Sequence, residues 1–137
     1  MALFVDTSAL VQRYVRSGGH RLVAEAMAAD DTWCASALGR SETMLALHRL
    51  AGTPHQQARL WSRLRDDWDA FVVVPVDERC LAHAVTLGAT YGLRTVDALH
   101  LAAADRLPRP LRYLTFDRRQ IPAAAALGFD LISPLAP

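Results

Sequence analysis

Four carboxylates, Asp6, Glu42, Asp97 and Asp117, stand where an acid needs explaining. Asp6 follows the mostly apolar residues 1–5 (MALFV) and precedes Thr7 and Ser8. A carboxylate at the edge of a run built for burial requires hydrogen bonds, a cation or an opening to water, because an unpaired buried charge is very costly. Asp117 comes two residues after the apolar stretch LRYLT. Glu42, one of three glutamates in the chain, sits in an otherwise apolar helical stretch. It shares roughly one face with Leu38 and Leu45 at spacings of four and three. Asp97 falls in the first turn of a helix beginning at Thr95, where free amides and the helix dipole favour negative charge. Read singly, Asp97 is accounted for by that helix terminus, and Glu42 by pairing with Arg40 or Arg49. Read together, the four suggest one acidic pocket. Crowded carboxylates repel and raise one another's pKa unless a cation offsets them. Oxygen donors without sulfur or a histidine cluster favour Mg²⁺ or Mn²⁺. Such an ion can activate water and stabilise charge on a phosphodiester.

The elements that must position these acids follow from the pattern of the chain. A strand is expected over residues 2–5, then a helix over 8–16 with Thr7 or Ser8 as its cap and Gly18-Gly19 as its stop. Residues 20–29 read as a helix, and 32–36 as a strand. The next helix carries Glu42 and runs to about Leu50. Thr53-Pro54 opens another, since proline suits a first turn, with Leu60, Leu64 and Trp68 on one face. FVVVPV, residues 71–76, is the clearest strand, and its continuous apolar character suits a sheet covered on both faces. Asp77 is expected to cap a helix running to Leu87-Gly88. Thr95 is expected to cap VDALHLAAADRL, ended by Pro108 and Pro110. A strand over 111–115, a helix over 121–127 and a strand over 129–132 complete the chain. The alternation argues for an α/β fold, a central mainly parallel sheet between helical layers. In such a sheet Asp6 and Asp117 both lie at carboxyl ends of strands, where open α/β folds form their crevice.

Composition narrows the classes. The chain has 137 residues, one domain's worth, so a single domain over 1–137 is expected. All fifteen basic residues are arginine, with no lysine, and the net charge is only +1. A P-loop, which needs its lysine, is thereby excluded. So are phospho-receivers and aspartyl-phosphate phosphatases, which place a lysine near the phosphoryl group. Arginine can still clamp phosphates through its fork of donors. Cys34 and Cys80 read as core thiols rather than a disulfide or zinc pair. No stretch suits a membrane span and the start lacks a secretory leader, so a cytoplasmic protein is expected.

The stretches FVDTSALV, SALGRSETMLAL, RTVDALHLAAA and YLTFDRRQIPAAAALGFDLI resemble PIN-domain ribonucleases, specifically the VapC toxins of type II toxin–antitoxin pairs. The resemblance covers nearly the whole chain and implies a three-layer α/β/α PIN-like domain. It makes Asp6, Glu42, Asp97 and Asp117 the acidic quartet. Asp6 and Asp97 would be direct or water-mediated metal ligands. Glu42 would help hold a metal or the attacking water, and Asp117 would complete the site. Thr7 and Ser8 match the polar pair after the first acid, and Thr115 the hydroxyl residue before the last. Arg94, Arg118 and Arg119 would touch RNA phosphates or an antitoxin, or simply rim the pocket. His100 matches the histidine of DALH and reads as structural rather than as a general base.

The resemblance further implies a Mg²⁺- or Mn²⁺-dependent endoribonuclease leaving a 5′ phosphate. It implies growth arrest through cleavage of translation RNA, a homodimer, and a cognate VapB-like antitoxin assembled as a heterotetramer or larger. A PIN nuclease of RNA processing outside toxin systems is one alternative, and a DNA flap nuclease of related fold a weaker one. A non-catalytic binding module whose acids merely cap helices and pair with arginines is another. His20, His48, His55 and His83 are scattered and read as surface or core-edge groups. Trp33, Trp61 and Trp68 are candidates to stack bases, Trp61 and Trp68 reading more readily at helical spacing as core or interface groups, and Tyr14 reads as a partner contact.

Overall fold

Strand β1 (Ala2–Val5) alternates strictly, Leu3 and Val5 pointing into one apolar cluster and Phe4 into another. That alternation splits the core in two, because successive side chains of a strand face opposite sides. The computed structural model describes residues 1–135. Four further strands join β1: β2 (Thr32–Ser36), β3 (Val72–Val74), β4 (Leu111–Leu114) and β5 (Asp130–Ile132). Their order is β3-β2-β1-β4-β5 and every pairing is parallel. The sheet is thus wholly rather than mainly parallel, and β1 lies at its centre.

One layer holds α1 (Thr7–Tyr14), α2 (His20–Ala29), α3 (Leu38–Leu50) and α4 (Pro54–Trp68). Its cluster includes Leu10, Met27, Leu47 and Leu64. The other holds α5 (Glu78–Tyr91), α6 (Thr95–Asp105) and α7 (Ile121–Ala126) around Phe4, Leu101, Tyr113 and Phe129. The architecture is therefore three layers, α/β/α. Phe4, Tyr113 and Phe129 form a continuous ring stack at 5.3 and 5.4 Å, each pair contributing ~0.5–1.5 kcal/mol beyond burial. Among the described residues no helix is long and apolar enough to cross a membrane.

Capping explains several boundaries. Thr53 Oγ1 accepts from Gln56 N at 3.0 Å, with Pro54 in the first turn. Asp77 Oδ1 accepts from Cys80 N at 3.0 Å and starts α5. That helix passes Gly88 and stops at Gly92, whose φ of 66° is the left-handed conformation glycine accepts without cost.

Some expectations are corrected. The cap of α1 is Asp6 itself rather than Thr7 or Ser8, and α1 ends at Tyr14, short of Arg16. Thr95 does not cap α6; Arg94 occupies the cap position without a side-chain bond. The 71–76 run yields only three strand residues at the sheet's edge, with Val72 and Val73 exposed. Only one side of β3 has a strand neighbour, and Pro75 has no N–H to extend it. Tyr14 is buried and its hydroxyl donates to Asp67 at 2.7 Å, so it is a core residue rather than a partner contact. The indoles pack internally: Trp33 and Trp61 donate to the carbonyls of Met27 and Met44, and Trp68 stacks on Phe71. His83 pairs with Asp105 between α5 and α6.

Candidate active site

Asp6 follows the last residue of β1, and its carboxylate does three jobs at once. Oδ1 accepts from Ala9 N at 3.1 Å, capping α1, and from Ser8 Oγ at 2.7 Å. Oδ2 accepts from Thr115 Oγ1 at 2.9 Å. The side chain is fully buried and makes no ion pair among the described residues. Burial pushes its pKa above the usual carboxylate range, only partly offset by the charge of His100 and by hydrogen bonds from Ser8, Thr115 and Ala9.

Two hydroxyls stitch the end of β1 to the segment after β4. Thr115 Oγ1 accepts from Asp117 N at 3.0 Å, and Ser8 Oγ accepts from Phe116 N at 2.9 Å. The backbone amides of Phe116 and Asp117 are thereby tied to Asp6 through the short Ser8 and Thr115 side chains. Asp117 then starts a 3₁₀ turn (Arg118–Gln120), its Oδ1 accepting from Arg119 N at 3.0 Å and from Arg119 Nε at 3.3 Å.

Glu42 reaches the same place from α3. Its Oε1 accepts from Thr7 Oγ1 at 2.7 Å and from His100 Nε2. Burial pushes the Glu42 carboxyl up, but His100, Thr7 and Arg94 together bring it below its ordinary value. Neither Arg40 nor Arg49 pairs with it. Asp97 projects from the first turn of α6. Arg94 Nε donates to its Oδ2 and Gln120 Nε2 to its Oδ1, both at 3.3 Å.

These side chains line one polar cavity of about 170 Å³, containing Asp6, Glu42, Asp97 and Asp117 together with Thr7, Ser8, Arg94, His100 and Gln120. Thr115 sits directly beneath Asp6, and Arg118 and Arg119 are exposed near the rim. All four sequence-selected acids are brought together. They do not form a finished ligand cluster: among the described residues no three Asp, Glu, His or Cys groups converge as a metal-holding set. Each carboxylate is turned instead to a local donor. The carboxylate and hydroxyl oxygens of this lining nevertheless fit a hard divalent ion, around a buried Asp6 that makes no ion pair among the described residues. A larger cavity of about 750 Å³ at the far end of α1 is lined by Arg16, Arg59 and Arg63 and contains no carboxylate. It lacks the groups for this chemistry.

Two contributors escaped the sequence reading. Ser36, last in β2, meets His100 Nδ1 at 2.9 Å, so the ring is held at both nitrogens. Gln120 is buried against Asp97. The only signal for either was its position, at the end of a strand or three residues after Asp117.

A family profile described as PIN domain matches residues 3–127. The chain belongs to the PIN-domain family. Within it, Ribonuclease VapC47 of Mycobacterium tuberculosis (strain CDC 1551 / Oshkosh) is 32% identical over 138 residues, covering 96% of each chain. Ribonuclease VapC46 of Mycobacterium tuberculosis (strain ATCC 25618 / H37Rv) is 34% identical over 134 residues, 97% of this chain and 98% of that one. The PIN fold is shared with a toxin–antitoxin complex from Klebsiella pneumoniae at a TM-score of 0.71 and 22% identity, each chain covered completely.

Proposed function

We propose that this chain, as a single PIN domain over residues 1–137, is a divalent-cation-dependent endoribonuclease toxin of the VapC kind. The observation that carries this reading is the meeting of Asp6, Glu42, Asp97 and Asp117 in one polar cavity at the carboxyl ends of β1 and β4. The VapC46 and VapC47 ribonucleases support the reaction class, and the Klebsiella complex supports an antitoxin partner.

Asp6 and Asp97 would hold Mg²⁺ or Mn²⁺, with Asp117 completing the donor set. When bound, the ion supplies a water nucleophile usable at neutral pH and offsets charge on the phosphodiester. Thr115 and Ser8 keep Asp6 in one rotamer, and Thr7 and His100 keep Glu42 in one orientation. Glu42, its carboxyl held below its ordinary value by His100, Thr7 and Arg94, would help hold the ion or orient the attacking water. Arg94, Arg118 and Arg119 supply cationic contacts for RNA phosphates around a cavity that is otherwise acidic. Single-stranded or loop RNA suits this site, because its backbone can be drawn into a small cleft. A cognate VapB-like antitoxin would cover the cavity, and a homodimer would lengthen the arginine-lined surface of a chain whose net charge is only +1.

A non-catalytic binding module is the second reading. It is favoured by the cap at Asp6, by the Arg94–Asp97 and Arg119–Asp117 pairs and by the absence of a converged ligand set among the described residues. One experiment separates the two. On the nuclease reading, the purified chain cuts single-stranded RNA in Mg²⁺, and Asp6→Asn and Asp97→Asn lose cutting while remaining folded. Equal cleavage by parent and both variants, or none by the parent with either ion, rejects it.

A further inference from the structure

Gln120 belongs to no ligand set, yet it touches both an acid of the cavity and a fully buried aromatic of the core. Its side chain is 1% exposed. Tyr113 OH donates to Gln120 Oε1 at 2.7 Å, and Gln120 Nε2 donates to Asp97 Oδ1 at 3.3 Å. We propose that Gln120 is a positioning residue that fixes the Asp97 carboxylate, with its amide held in a single orientation by the Tyr113 hydroxyl. The inference rests on the nuclease reading for what Asp97 does, and on contacts alone for how Asp97 is held.

The direction of the amide is determined. A primary amide presents a carbonyl on one side and an NH₂ on the other. Turned around, it would set its carbonyl against a carboxylate oxygen of Asp97, two acceptors with no hydrogen between them. Tyr113 completes the same sense from the other side, its hydroxyl donating to Oε1 at 2.7 Å. Burial, with the charges of Asp6, Asp97 and Asp117, holds its phenol well above the ordinary range. The ring cannot swing away, being stacked between Phe4 and Phe129 at interplanar angles of 5° and 8°.

Gln120 also joins two acids that come from different elements. Its backbone N donates to Asp117 O at 3.1 Å, closing the turn that Asp117 starts. The same residue therefore sets the Asp117 turn and restrains Asp97 on α6. Arg94, the other partner of Asp97, has a side chain 68% exposed and constrains little. Gln120 bonds Oδ1, and the hydrogen-bond partner of Oδ2 is that exposed guanidinium.

The test uses Tyr113→Phe, which keeps the ring stack and removes the hydroxyl, and Gln120→Met, which keeps side-chain length and removes the amide. Cleavage of an RNA oligonucleotide in Mg²⁺ is measured well below the melting point of each variant. Gln120→Met is expected to lower kcat by ~10–100-fold, with KM within about twofold, and Tyr113→Phe to lower it by less. The double variant should be no slower than Gln120→Met, because both act along one path. Unchanged kcat in both single variants, with only a lower Tm, overturns the inference. A second readout does not depend on cleavage. The Gln120 side-chain NH₂, followed by NMR, should exchange slowly with solvent in the parent and about tenfold faster or more in Tyr113→Phe and Asp97→Asn. Equal exchange in all three overturns the proposed contact. A parent that fails to cleave rejects the nuclease reading instead, and the exchange measurement then decides the role of Gln120.

Discussion

His100 and Glu42, 58 residues apart in sequence, meet at the cavity wall, where the ring Nε2 donates to Oε1 while Ser36 engages Nδ1. The ring is 2% exposed, so it cannot turn to water for a substitute. His100→Ala removes a partner from both Ser36 and Glu42 and leaves a void. A loss of ~2–4 kcal/mol is expected, together with slower cleavage because Glu42 is left held by Thr7 alone. His100→Gln, which keeps one donor, should recover part of both. Urea denaturation alongside cleavage rates checks this, and a His100→Ala protein as stable and active as the parent contradicts it.

Asp6→Asn should separate stability from function. The buried carboxylate resists ionisation, so its charged form costs folding energy at neutral pH. An amide fills the same space, accepts from Ala9 N and donates to Thr115. In buffer containing a chelator, the variant is expected to melt a few degrees above the parent. Cleavage should fall by about a hundredfold or more. Scanning calorimetry with EDTA gives the first number. A lower Tm would show that the hydrogen bonds outweigh the burial cost.

Gly19 carries a packing test. A Cβ placed there would lie 2.2 Å from Cε2 of the Phe116 ring, so the ring must move. Gly19 has φ −89°, which any residue adopts, so the cost is space rather than backbone strain. Gly19→Ala is expected to lose ~1–2 kcal/mol. It should also slow cleavage, because Phe116 N is bonded to Ser8 and the next residue is Asp117. Equilibrium unfolding and a single-turnover assay report the two effects.

Asp77 gives a pH signature away from the cavity. The Cys80 amide, then Arg106, hold its carboxyl below the ordinary range. For an acid depressed in the folded state, the stabilisation is present above its unfolded pKa of about 3.9 and disappears as pH falls through the folded value. Asp77→Ala should therefore melt below the parent at pH 7, and the gap should close in acid, below about pH 4. A gap that widens in acid would contradict the assignment.

Much of this arrangement could be read from the chain. The helix at His20–Ala29 and the strand at Thr32–Ser36 match their expected limits, because apolar period and polar breaks agree there. Thr53-Pro54 announces α4 for the same reason. The four acids were selected for being out of place, and the fold does collect them. What escaped depended on partners far away in sequence. The Asp6 cap required knowing that its carboxylate turns back onto Ala9, and Tyr14 required Asp67, 53 positions later. Val72 and Val73 looked like interior strand because hydrophobicity reports nothing of sheet order. Gln120 has an unremarkable side chain until Tyr113 and Asp97 are seen on either side of it.

The position of β3 has a consequence outside catalysis. Among the described residues its outer edge has no strand partner, and two valines stand in solvent beside it. An open edge of this kind invites the backbone of another molecule to zip onto it, and short length with a proline limits how far such zipping can run. Three residues ending just before Pro75 therefore offer a second molecule too short a template for extended strand addition.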